Sequence, residues 1–339
     1  MEVHASLIWA AFAMGITYKR WTISWHCMIK KMDKPYINKL RIIQLFEGDF
    51  NGGLKYLLGK VFMQKMTREG RIDPSAYGSI PGKDAVEAMM ALQYLYDNHR
   101  ILKKALIVVF NDAAGCYDRV RPNHSEICSL RLGCSKSIMK THTKTQNKMK
   151  HHVKTSAEVS SGYIKWENIG DDMETAKKVI QDIAIHTGNI GGIGQGGGAS
   201  PVGWLTVLLT MIKSYSKFST GANVIDPTGM NGFLMAILSY VDDNSLLKSL
   251  ESNTTAKQIF QEMSQEMLHW KKILKVTGGD LAPHKCTVTL MKWAWGTRTG
   301  YPYMQKINKC LGTIILNEDN GDKVTRLRRL ETNEGMKQL

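Results

Sequence analysis

Two apolar runs, Phe233 to Val241 and Asn244 to Leu250, close around the dipeptide Asp242-Asp243. Apolar chain on both sides of so short a polar step predicts an antiparallel hairpin with two carboxylates at its tip. Adjacent anions in that setting are costly unless a cation neutralises them, the alternative being a solvated turn. The dipeptide alone decides nothing, since a second one, Asp171-Asp172, stands in polar sequence. A continuous run rich in Val and Ile, Ala105 to Phe110, predicts a strand buried on both faces, and it ends at Asn111-Asp112. Asp112 adds a third oxygen donor at a strand end. Carboxylates so placed, with no His or Cys beside them, suit hard Mg²⁺. Two such ions about 3.5 to 4 Å apart would clamp the attacking and leaving oxygens of a phosphoryl transfer.

Charge indicates the partner. Across 339 residues, 45 Lys and Arg stand against 30 Asp and Glu, a formal charge of +15 that favours a polyanion, nucleic acid ahead of anionic membrane. With 43% apolar and 22% charged residues, disorder is excluded as the main state. The apolar stretch Ala5 to Ile16 falls short of the ~20 residues that cross a bilayer, and it lacks the flanks of a secretory signal. Six cysteines, Cys27, Cys116, Cys128, Cys134, Cys286 and Cys310, show no C-x-x-C pair. They read as reduced intracellular thiols, with nucleus and cytoplasm undivided.

Further elements surround these strands. Trp25 to Ile29 and Leu40 to Leu45 predict a hairpin with Lys30, Lys31 and Lys34 at its tip. Asp84 to Tyr96 has helical periodicity, and Ile259 to Ile273 forms an amphipathic helix stopped by Gly278-Gly279. The glycine segment Gly188 to Ser200 passes at Ser200-Pro201 into an apolar helix. Its glycines suit either close backbone approach to a base or sugar, with Gln195 offering an amide, or a flexible connection. Lys136, Lys140, Lys144 and Lys148 recur every fourth residue, which on a helix lines one face, either for a polyanion or for solvent. His151-His152 reads as surface, and the methionines as core. The order of elements predicts an α+β fold, an antiparallel sheet with helices on one face.

In this order the pieces resemble the reverse transcriptase domain of retrotransposons. Asp112 and Tyr117, in Val109-Phe110-Asn111-Asp112 and Cys116-Tyr117-Asp118-Arg119, resemble the first palm motif. Gln195-Gly196 through Ser200-Pro201 is similar to the second, and Tyr240-Val241-Asp242-Asp243 to the third. Lys285 sits where the family has a lysine after the intervening helix, and Leu311-Gly312 resembles the primer-side turn. Lys39 to Ile43 and Tyr77-Gly78 with Pro81-Gly82 resemble fingers motifs. The Cys-Tyr-Asp-Arg and Gly-Gln-Gly-x-x-x-Ser-Pro spellings resemble those of one retrotransposon subgroup, and Phe110, Ala76 and Ile80 stand where that subgroup has an acid, a Gln and an Arg.

The resemblance implies a right-hand polymerase fold: an N-terminal segment and fingers over 1–100, a palm over 101–315 with a fingers-like insertion at about 120–190, and the start of an incomplete thumb over 316–339. It implies an RNA-directed DNA polymerase, a nucleotidyltransferase adding deoxynucleotides to a primer 3′-hydroxyl on an RNA template. Asp112 and Asp242 would hold two Mg²⁺, with Mn²⁺ as the alternative ion, and Asp243 would assist. Lys285 would protonate pyrophosphate, Tyr117 would exclude a ribose 2′-hydroxyl, Gln195 would touch the nucleotide, and Arg41 and Lys31 would hold its triphosphate. The other reading is a catalytically degenerate retroelement relic that only binds RNA.

Overall fold

Side-chain alternation along one strand fixes the layers of the sheet. In the computed structural model, which describes residues 2–30, 40–113, 116–155, 158–164, 192–226, 228–251, 254, 256–282, 285–298, 301–315 and 326–328, the chain divides into two compact units. One comprises Met1–Ile72 with Gly115–Thr210, the other Asp73–Ala114 with Met211–Leu339. Residues 73–100 thus group with the second unit, whereas the sequence reading placed its boundary at 100.

The second unit holds a six-stranded antiparallel sheet. From edge to edge its strands are Arg326–Arg328, Tyr301–Ile315, Thr287–Arg298, Ala105–Asp112, Asp243–Leu250 and Ile237–Tyr240. Ala105 to Val109 are all buried, as the continuous apolar run predicts. Successive residues on the neighbouring strand show why. Ser249 Oγ lies 2.6 Å from His99 Nε2 on the helix Ala85–Ile101, while Lys248 Nζ lies 3.1 Å from Glu266 on the helix Ala256–Val276. Because strand side chains alternate, those two helices cover opposite faces. This corrects the expectation of helices on one face: a strand apolar at every position has two faces to bury.

The helix Ala85–Ile101 begins where Asp84 caps it, its carboxylate accepting from Glu87 N–H. Ala88 and Leu95 pack with Leu106, Val108 and Leu247 in one core. The long apolar run before the carboxylates splits in two. Gly232–Met235 pairs with Ala222–Ile225 in a separate ribbon, and only Ile237–Tyr240 joins the main sheet. Leu311-Gly312 lies within the strand Tyr301–Ile315, Gly312 opposite Val288, rather than in a turn. Of the expected thumb segment, Arg326–Arg328 is described, as an edge strand.

The first unit holds a mixed four-stranded sheet in the order Leu40–Phe46, Ile23–Lys30, Lys150–Lys154, Tyr163–Ile164. Ile23–Lys30 pairs antiparallel with Leu40–Phe46, as expected, and parallel with Lys150–Lys154. That second pairing buries His151 completely, Nδ1 2.7 Å from Ser24 Oγ, which corrects its reading as a surface residue. In the same unit Phe12 stacks on Trp21 and on Phe50, with ring centroids 5.4 and 6.4 Å apart, and Trp21 lies tilted against Phe50 at 5.4 Å.

Candidate active site

The turn carrying Asp242 is as tight as a hairpin allows. Tyr240 pairs with Asp243, leaving Val241 and Asp242 as its two central residues. Such turns need positive φ at their first central position, normally met by Gly or Asn. Val241 meets it at +57°, an unfavourable conformation for a β-branched residue. Main-chain bonds pin the turn from below: Tyr77 N–H donates to Ser239 O at 2.9 Å, and Ser239 N–H to Ser75 O at 2.9 Å. Gly78 passes so close that a Cβ on it would lie 2.1 Å from Val241 N.

Across the sheet Asp243 is the register partner of Asp112, so both stand at the same end of two paired strands. Partial burial raises the Asp243 carboxyl above its ordinary range, and the Asp242 and Asp112 carboxylates raise it further, while Lys285 opposes them. Three carboxylates therefore face one ammonium. Lys285 Nζ lies 2.7 Å from Asp112 Oδ2, and that bond holds the Lys285 ammonium above the usual lysine range. Structure joins what the sequence separates by more than a hundred residues: Asp112, Asp242, Asp243 and Lys285 are gathered within one unit.

A hard divalent cation suits this donor set, because the oxygens are anionic and their mutual repulsion is only partly offset by Lys285. Among the described residues no group of three His, Cys, Asp or Glu side chains is closed around a common point. Asp112 is engaged by Lys285 instead.

The other expected site residues lie in the first unit. Tyr117 is half-buried, its ring 6.3 Å from that of Trp204. Arg41 is exposed on its strand opposite Ile29. Lys31 lies outside the described residues. Lys136, Lys140 and Lys144 all project from the exposed face of the helix Lys136–Asn147, with Lys148 exposed at its C-cap.

The glycine loop has its own explanation. Gln195 O accepts from Gln44 N–H at 2.7 Å. A Cβ on Gly194 would lie 1.9 Å from Gln44 Oε1, and one on Gly192 2.1 Å from Tyr117 O. The close approaches of these two glycines are thus to protein, and the loop is packed, which corrects the reading of a flexible connection. Gly192 backs Tyr117 directly. Sequence reasoning missed the support given by Gly78 and Gly192 and the ion pair of Lys285, because each depends on a contact between distant segments.

No protein-family model matches the chain, and no curated protein matches it. Among solved structures it is similar to apo telomerase from Candida Tropicalis truncated from C-terminal domain, with a TM-score of 0.51 and 14% identity, over 86% of this chain and 56% of that one. Telomerase from the same organism in complex with the TWJ fragment of telomeric RNA gives a TM-score of 0.49 and 13% identity, over 88% of this chain and 42% of that one. The chain spans a little over half the length of the first of these structures. At such identity the likeness is one of fold alone: this chain folds like the first of these telomerase structures.

Proposed function

We propose that the chain is an RNA-directed DNA polymerase of retroelement type, transferring deoxynucleotides to a primer 3′-hydroxyl on an RNA template. One observation carries the reading: Asp112 and Asp243 are cross-strand partners beside the Asp242 turn, with Lys285 at the same strand end. Phosphoryl transfer asks a protein for charge clamping and alignment more than for covalent chemistry, and this is a site of that kind. Asp112 and Asp242, assisted by Asp243, would hold Mg²⁺ or Mn²⁺, which supplies charge neutralisation at the transferred phosphoryl group. Lys285 is the proton donor for the leaving group, Tyr117 the gate against a 2′-hydroxyl, Gln195 a nucleotide contact, and Arg41 with Lys31 a grip on the triphosphate. Lys136, Lys140, Lys144 and Lys148 track nucleic acid.

The second reading, an RNA-binding relic without catalysis, is favoured by the engagement of Asp112 with Lys285. An extension assay with poly(rA) template, oligo(dT) primer, dTTP and Mg²⁺ separates the two. Incorporation supports the polymerase; RNA binding without incorporation supports the relic.

A further inference from the structure

Lys285 is exposed, yet it does not meet its carboxylate by chance. Its segment is fastened to the strand end that carries its partner. Leu281 forms an antiparallel bridge with Ala113, Ala282 N–H donates to Asp112 O at 3.0 Å, and Lys285 N–H donates to Ala282 O at 2.9 Å. Cys286, fully buried, donates its Sγ–H to Ala282 O at 3.4 Å and anchors the far side. The backbone of Asp112 thus positions the residue whose ammonium meets the Asp112 side chain at 2.7 Å.

We infer that Lys285 is the internal counter-ion of the carboxylate cluster, holding Asp112 until a divalent cation displaces it, so that ion binding and release of the lysine are one coupled event. The inference rests on the reading of Asp112 as an ion ligand. The ammonium and an incoming cation compete for the same carboxylate oxygens and repel one another. Release then frees Lys285 at the moment the ion arrives, which couples its proposed role as proton donor to a loaded site. Lys285 acts here as a positioning residue, through Asp112.

The test measures Mn²⁺ binding by electron paramagnetic resonance, with no nucleotide present, on the full chain as wild type, Lys285→Gln, Lys285→Arg and Asp112→Asn. Lys285→Gln should bind Mn²⁺ about five- to tenfold more tightly, the scale of losing one exposed, charge-assisted ion pair together with its repulsion of the cation. Lys285→Arg keeps the charge and should restore wild-type affinity. Thermal unfolding gives a second readout: in EDTA Lys285→Gln should melt below wild type, and Mn²⁺ should raise its melting temperature by more. Unchanged or weaker Mn²⁺ binding by Lys285→Gln, with Asp112→Asn still impairing it, would overturn the counter-ion role alone. Mn²⁺ binding that is indifferent to Asp112→Asn would overturn the underlying assignment of Asp112.

Discussion

Gly78 and Val241 are packed main chain against main chain: a single methyl group added to Gly78 would stand 2.1 Å from the Val241 nitrogen. Backbone cannot swing aside as a flexible side chain does, so Gly78→Ala must push the Asp242 turn out of place. Overpacking of this kind costs about 1 to 3 kcal/mol, which urea denaturation measures. Extension should fall with it. Val241→Gly removes the strain of a positive φ, worth roughly 1 kcal/mol, yet cannot rescue Gly78→Ala because the clash is with backbone. Wild-type stability in Gly78→Ala would contradict this packing.

The carboxylates separate catalysis from folding. On the proposed polymerase reading, Asp112→Asn and Asp242→Asn should each abolish extension while template binding stays near wild type, since the charge lost would stabilise the transition state rather than the bound duplex. Their stabilities should differ in sign. Asp242→Asn relieves a neighbour that repels Asp243, whereas Asp112→Asn gives up the Lys285 ion pair, worth ~1 kcal/mol or less at this exposure. Residual extension above a few per cent in either variant would remove that residue from the site.

Acid should unfold the first unit through His142. Its ring is buried, lies nearly parallel to Phe50 at 6.4 Å, and leaves Nδ1 without a hydrogen-bond partner. Burial pushes its pKa from 6.5 down to about 4. Between those values the unfolded chain binds a proton that the folded chain refuses, so stability is lost as pH falls through this window. The loss reaches about 2 to 3 kcal/mol by pH 4.5. His142→Leu should flatten the melting temperature across that interval, and an unchanged acid limb would assign the loss elsewhere.

Much of the site is legible because it is local. Alternation and apolar runs locate the strand ending at Asp112 and the hairpin tip at Asp242, and the every-fourth-residue lysines do share an exposed helix face. What is not legible depends on partners far along the chain. Lys150-His151-His152 has the polarity of a surface segment, yet its parallel pairing with Ile23–Trp25 buries His151 among Ser24, His26 and Gln44. The glycine run suggests ligand contact, but several of its glycines are explained by Gln44, Asn51 and Tyr117. Two-sided burial of Ala105–Val109 was implicit in the run, while the helix covering each face emerges only from Lys248 and Ser249.

Nucleotide selection tests Tyr117 and the glycine behind it. Tyr117→Ala should admit ribonucleotides and lower the kcat/KM preference for deoxynucleotides, with deoxynucleotide incorporation surviving in part. Gly192→Ala should shift the same ratio without touching the ring, because its methyl would meet Tyr117 O at 2.1 Å and displace the backbone that carries the side chain. An unaltered ratio in Tyr117→Ala would take the gate role from Tyr117.

The lysine helix decides where the basic excess acts. Met139, His142 and Gln146 are buried on one side of Lys136–Asn147, and Lys136, Lys140, Lys144 and Lys148 are exposed on the other, so changing the four to Gln spares the core. Ammonium groups at every fourth residue can meet successive phosphates but carry no pattern that reads base edges. If all four meet phosphate, the slope of log K against log salt should become shallower by roughly three to four units on duplex, and somewhat less on single strands. Affinity should fall alike for all sequences. A solvated face predicts instead the same slope before and after, with a slight gain in stability as the repulsions between lysines four residues apart disappear. Binding titrations at several salt concentrations separate the two outcomes, and an unchanged slope would send the search for the polyanion contact to the exposed Arg41 strand.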